Sequence, residues 1–178
     1  MRISGKLIVL IFIVCSGLYS TSLYASDQLP VKIIPLNGKL AENFAIDDYD
    51  GNKYELKSSR GKWVFLHFWA SWCRPCRREM PLIYKLQKQF EGKHIDFVLV
   101  NTAENEDTIF EFLGSIAPDL HSYMDRDGEL TELWKPRGLP TTFFIDPEGR
   151  KRFLALGGRP WDKPAYQSLI RKMLAGKN

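Results

Sequence analysis

The chain has 178 residues, 44% hydrophobic and 13% aromatic, the makeup of one packed globular domain rather than a disordered tail. Its formal charge is +4, and two of the positives, Arg2 and Lys6, fall in an N-terminal segment without Asp or Glu. The remaining charge is mild, and with no long Lys/Arg run or nucleic-acid motif the composition argues against a nucleic-acid partner.

Residues 1–25 read as an export signal: a basic head, an apolar run over Leu7–Leu18, and a small polar stretch leading to Ala25. As a helix that run would span about 18 Å, short of a hydrocarbon core of about 30 Å. A cleaved signal peptide is therefore expected, which places the protein in the periplasm or on the outer face of the cytoplasmic membrane. Leu23 stands where a signal peptidase prefers a small residue, so an uncleaved anchor that tethers the chain to the membrane stays open. Residues 26–42, with Pro30 and Pro35, read as a leader, and the folded domain is expected over 43–178.

Phe44–Ile46 and Tyr54–Leu56 flank Asp50-Gly51 and predict a hairpin. Trp63–Trp69 is apolar throughout, the pattern of a strand buried on both faces. A helix should start near the cysteines and run to about Phe90, with Met80, Ile83, Leu86 and Phe90 on one face, Pro81 inside and Gly92 beyond its end. Ile95–Val100 reads as a second buried strand, Asp107–Ala117 as an amphipathic helix and Ser122–Met124 as a short strand. Thr141–Ile145 and Arg152–Leu156 flank Asp146-Pro147-Glu148-Gly149 as an antiparallel hairpin. Pro164–Leu174 closes as a helix. Early strand–helix alternation followed by a hairpin predicts an α/β fold with a mixed central sheet, helices on both sides and an N-terminal hairpin extension.

Outside the signal segment only Cys73 and Cys76 remain. A bridge between them closes a four-residue loop, which the chain-entropy account values at about 2 kcal/mol, little for a structural staple. Spacing therefore points to reversible redox chemistry. Structural zinc normally needs four ligands, and here one cysteine pair stands with three scattered histidines, His67, His94 and His121. A c-type haem site needs His after the second cysteine, where this chain has Arg77. No metal and no separate cofactor are expected.

Trp72-Cys73-Arg74-Pro75-Cys76 lies between a buried strand and a helix. A thiol at a helix N-terminus faces unpaired N–H groups and the positive end of the macrodipole, which favour the thiolate. Arg74, Arg77 and Arg78 add positive charge there, or form a solvated basic face. In this scheme Cys73, expected to be exposed, attacks a client disulfide, and Cys76, one turn on, resolves the mixed disulfide. Pro75 suits an early helical position, where its missing N–H costs nothing.

The segment Phe68–Pro81 (FWASWCRPCRREMP) resembles the active-site segment of the thioredoxin superfamily, and within it the exported TlpA/ResA-type thiol–disulfide oxidoreductases. Arg60-Gly61-Lys62, Gly138-Leu139-Pro140-Thr141-Thr142-Phe143 and Gly158-Arg159-Pro160-Trp161 extend the likeness over roughly residues 44–174. The resemblance implies a thioredoxin-like fold, with Cys73 and Cys76 as attacking and resolving thiols. It implies further that Pro140 is a cis-proline facing the disulfide, that Leu139 offers backbone groups to an extended client, and that Glu79 influences thiol protonation. His67 departs from thioredoxin, which has a buried acid at that position. Trp69 and Trp72 are expected near the docking surface, and Trp63, Trp134 and Trp161 in the core.

The implied activity is reduction of disulfides in other extracytoplasmic proteins, as in cytochrome c maturation or oxidase assembly. Its partners would be protein disulfide or dithiol clients and a membrane-bound electron donor. The alternatives are an oxidant that introduces disulfides, or a client- or copper-binding assembly module on the same fold. Family likeness alone favours reduction.

Overall fold

In the computed structural model, which describes residues 29–176, a six-stranded sheet runs in the order β1-β8-β7-β4-β5-β6. The strands are β1 (Ile33–Pro35), β4 (Trp63–Trp69), β5 (Ile95–Thr102), β6 (Tyr123–Asp125), β7 (Thr141–Ile145) and β8 (Lys151–Leu156). β4, β5 and β6 are parallel, and β7 lies antiparallel to β4 with β8 and β1 continuing antiparallel beyond it. A separate two-stranded sheet, β2 (Ala45–Asp47) with β3 (Lys53–Glu55), is the expected hairpin. The helices are α1 (Arg74–Gln89), α2 (Glu106–Ile116), α3 (Glu129–Trp134) and α4 (Pro164–Leu174). The fold is thioredoxin-like, as expected. The signal-peptide and anchor readings lie outside the described residues.

β4 explains the layering. Its alternate side chains go to opposite faces, and every one is buried. Trp63, Phe65 and Trp69 join a cluster with α1, α2 and α4, through Met80, Ile83, Phe112 and Ile170. Val64, Leu66 and Phe68 join a second cluster with Phe44, Leu56 and Trp134, under the hairpin and α3. A strand sandwiched in this way has no solvent face, which is why its sequence does not alternate.

Two stretches differ from the sequence reading. The region read as a leader supplies β1, whose Ile33–Pro35 pair with Phe153–Ala155 of β8. Three residues are too few for a period to show, and the neighbouring prolines read as a loop; the exposed edge of β8 recruits them. Helix α3 was not expected either. Six residues carry barely two turns of pattern, and the helix depends on a tertiary cap: buried Asp125 accepts from Leu130 N at 2.9 Å and Thr131 N at 2.8 Å. Trp134 at its end packs edge-on to Phe44 and Phe143.

Candidate active site

Strand β4 ends at Trp69, and a short turn delivers Cys73 as the N-cap of α1. Its Sγ accepts from Cys76 N at 3.3 Å, taking the place of a capping oxygen. Pro75 occupies the first turn, where its missing N–H leaves no gap. Cys73 and Cys76 are joined as a disulfide with Cα atoms 5.2 Å apart. Cys73 is 5% exposed and Cys76 wholly buried, so the attacking sulfur is nearly covered rather than exposed, because as a cap it folds back over the first turn. Arg74, Arg77 and Arg78 are exposed around it.

Glu79 lies three residues past Cys76, the spacing that puts two side chains on one helix face. It is 2% exposed. Its Oε2 accepts from Arg159 N at 2.8 Å and from Trp161 Nε1 at 3.1 Å, and its Oε1 lies 3.4 Å from His67 Nε2. Burial pushes the carboxyl up to about 8, against the pull of those donors and of the nearby Arg159 and Arg78 charges. His67, on β4, is fully buried, and loss of water pushes its imidazole down to about 3. Its Nδ1 meets Thr142 Oγ1 of β7 at 2.9 Å. Near neutral pH the pair is therefore uncharged, with the proton on Glu79.

The rim is built by loops at one end of the sheet. The Leu139–Pro140 bond is cis, and Pro140 directly precedes β7. Thr141 pairs with Phe68, so Pro140 sits beside the end of β4 that leads to Cys73. Leu139 is half-buried and Trp72, 68% exposed, stands next to Cys73. Gly158 abuts both Pro75 and the Glu79 carboxyl, leaving a side chain there only 3.4 Å from Pro75.

Four residues have contacts that sequence reasoning missed. Trp161 is buried as expected, yet its indole N–H also holds Glu79. Trp69 is buried completely, bonding Ser122 Oγ through Nε1, so it cannot form part of a docking surface. Glu104, at the end of β5, accepts from Ser71 N at 2.7 Å and from Asn101 Nδ2 at 2.7 Å, and also binds Ser71 Oγ; it pins the turn before the cysteines. Its position after a central parallel strand, where sites of α/β sheets gather, was the available signal. Arg77 reaches back to Ser71 O at 3.2 Å and lies over the Phe112 ring, which makes it a brace for the same turn.

Among the described residues one cluster, Asp48, Asp50 and His121, brings possible metal ligands within 4.8 Å of one another. The hairpin turn accounts for it, since Asp48 already accepts from Asp50 N, Asn52 N and Asn52 Nδ2. A concavity of about 810 Å³, lined by Tyr54, Asp96, His121 and Tyr123 among others, shares no residue with the cysteine site.

Comparison with known proteins agrees with this geometry. The model of the AhpC/TSA family matches residues 37–153. The thiol-disulfide oxidoreductase ResA of Bacillus subtilis is 31% identical over 147 residues, covering 83% of this chain and 79% of its own. Among solved structures, a thiol:disulfide interchange protein DsbE from Chlorobium tepidum superposes with a TM-score of 0.70 at 32% identity, over 77% of this chain and 96% of its own. The exposed lipoprotein thioredoxin of Streptococcus pneumoniae superposes with a TM-score of 0.62 at 26% identity, over 76% and 99%.

Proposed function

Because the chain belongs to the AhpC/TSA family and is a thiol–disulfide oxidoreductase of the ResA type, we propose that it reduces disulfides of extracytoplasmic client proteins. The observation that carries this reading is a disulfide capping a helix with a buried carboxyl one turn beyond it.

In the reduced enzyme the Cys73 thiolate attacks a client disulfide, bonding to one sulfur and releasing the other as a thiolate that takes a proton. Glu79, which carries its proton near neutral pH, supplies that proton and becomes the carboxylate that then takes the proton of Cys76. Cys76 attacks Cys73 Sγ and releases the client's second sulfur as a thiolate, protonated from solvent. Two electrons pass to the client, and the Cys73–Cys76 disulfide forms. A membrane-bound dithiol donor would restore the reduced state. A carboxyl held near 8 suits this exchange, since an ordinary thiol ionises at about 8.5 and matched groups trade protons readily. Exposed Trp72 and half-buried Pro75 offer the client an apolar rim, with Leu139 and cis-Pro140 as its backbone-binding side.

Cytochrome c maturation and oxidase assembly are the client classes proposed, and the periplasm or the outer face of the cytoplasmic membrane the location. The exposed lipoprotein among the relatives supports that placement.

The test is capture. A Cys76→Ser variant should arrest exchange at a mixed disulfide through Cys73, and mass spectrometry should recover an exported cysteine protein; Cys73→Ser should capture none. A reduction potential near −270 mV supports the reductive direction, and one near −120 mV would reverse it.

A further inference from the structure

We propose that His67 is a positioning residue for the thiol chemistry: its Nε2, 3.4 Å from Glu79 Oε1, accepts the hydrogen bond of the carboxylic acid and donates one to the carboxylate, while Thr142 Oγ1 answers the change of tautomer on the other side of the ring. The inference rests on the reading of Glu79 as the proton carrier.

The geometry leaves these two atoms to each other. Among the described residues neither His67 Nε2 nor Glu79 Oε1 has a hydrogen bond of good geometry, although both are buried and face one another. Glu79 Oε2 is already an acceptor for two donors, Arg159 N and Trp161 Nε1, so the acidic hydrogen belongs on Oε1. A neutral imidazole has one donor and one acceptor nitrogen, and a threonine hydroxyl can fill either role. With the acid present, Nε2 accepts and Nδ1–H donates to Thr142. With the carboxylate present, Nε2–H donates and Nδ1 accepts from Thr142. The ring carries one hydrogen in both states, and only Glu79 changes its proton count, by the proton it trades with a thiol.

The described surroundings of both groups are accounted for. Facing His67 are Glu79 from α1, Thr142 from β7, Leu99 in register on β5, and the Phe65 ring stacked on its own strand. Facing Glu79 are Arg159 and Trp161 before α4, with the charge of Arg78 on its own helix. The Arg159 side chain turns to Gly157 O at 3.0 Å. Among the described residues His67 is thus the group that faces Oε1, and without it none of them would supply that buried carboxylate oxygen with a donor.

Removing the donor harms the carboxylate more than the acid, because a hydrogen bond to a charged group is roughly twice as strong. In the oxidised protein, ¹³C NMR of the Glu79 carboxyl should therefore titrate about one pH unit higher in His67→Leu than in the wild type. His67→Gln, which keeps an amide donor and acceptor near the Nε2 position, should return the midpoint close to the wild-type value. In the wild type, ¹⁵N NMR of the His67 ring should show the hydrogen on Nδ1 below that midpoint and on Nε2 above it. A ring tautomer that stays fixed through the Glu79 titration would overturn the inference, even if His67→Leu fails to fold. So would an unmoved midpoint in a folded His67→Leu. If instead Glu79→Gln leaves the pH profile of thiol exchange unchanged, it is the proton-carrier reading that fails, while the NMR result still judges the pair.

Discussion

Glu79 and His67 have opposite shifts from one cause, since burial removes the water that would stabilise either charge. The consequence for stability is a pair of limbs. Glu79 ordinarily ionises near 4.5 and in the fold near 8, so between those values the folded state keeps a proton the unfolded chain has lost. Stability must fall as pH rises through that window. His67 ordinarily titrates near 6.5 and in the fold near 3, so there the unfolded chain holds the extra proton and stability rises with pH. Their contributions cancel where the windows overlap. Denaturant unfolding of the oxidised protein should show, from this pair, a rise up to about 4.5, a plateau to about 6.5 and a fall toward about 8. Glu79→Gln should abolish the fall; a wild-type stability flat from 6.5 to 8 would contradict the buried acid.

Local caps hold the elements around the site. Asn105 accepts from Thr108 N at 2.9 Å and opens α2, so Asn105→Ala should cost about 1 kcal/mol, read as a lower denaturant midpoint with unchanged slope. Asp125 is the stronger case. Besides its two backbone bonds it accepts from Thr131 Oγ1 at 2.6 Å, tying β6 to α3 from a buried position. Asp125→Ala leaves donors stranded and should cost roughly 2–4 kcal/mol. Because α3 covers the face opposite the cysteines, thiol exchange in the still-folded fraction should keep its rate; a large loss of exchange would mean that α3 reaches the site.

Across the whole molecule, strand direction gathers the chemistry. β4, β5 and β8 end, and β7 begins, at the same edge of the sheet, which brings Cys73, Glu104, Pro140 and Gly157–Trp161 to one end. Interior and rim then answer differently to mutation. Phe65, wholly buried and in ring contact with Phe144 and Trp161, should cost about 3–5 kcal/mol as Phe65→Ala. Trp72→Ala, at an exposed position, should change stability by less than about 0.5 kcal/mol. Its cost should appear instead with protein clients, as a several-fold lower exchange rate, and vanish with a small disulfide. Equal losses on both substrates would remove Trp72 from the docking surface.

Local sequence determined much of this. The apolar run of β4, the helix starting at the cysteines and the hairpin around Asp146–Gly149 each carry their signal within a few residues, because period and turn chemistry are local properties. The Cys73–Cys76 pair was legible for the same reason. What only the tertiary structure decided are the facts that depend on distant partners: β1 recruited by the edge of β8, α3 held by Asp125, and Trp69 turned into the core. The meeting of Glu79 with His67 and Trp161 is of that kind. A carboxyl twelve residues from a histidine and eighty-two from a tryptophan has no sequence period to betray it, and its ionisation is set by the water that folding removes.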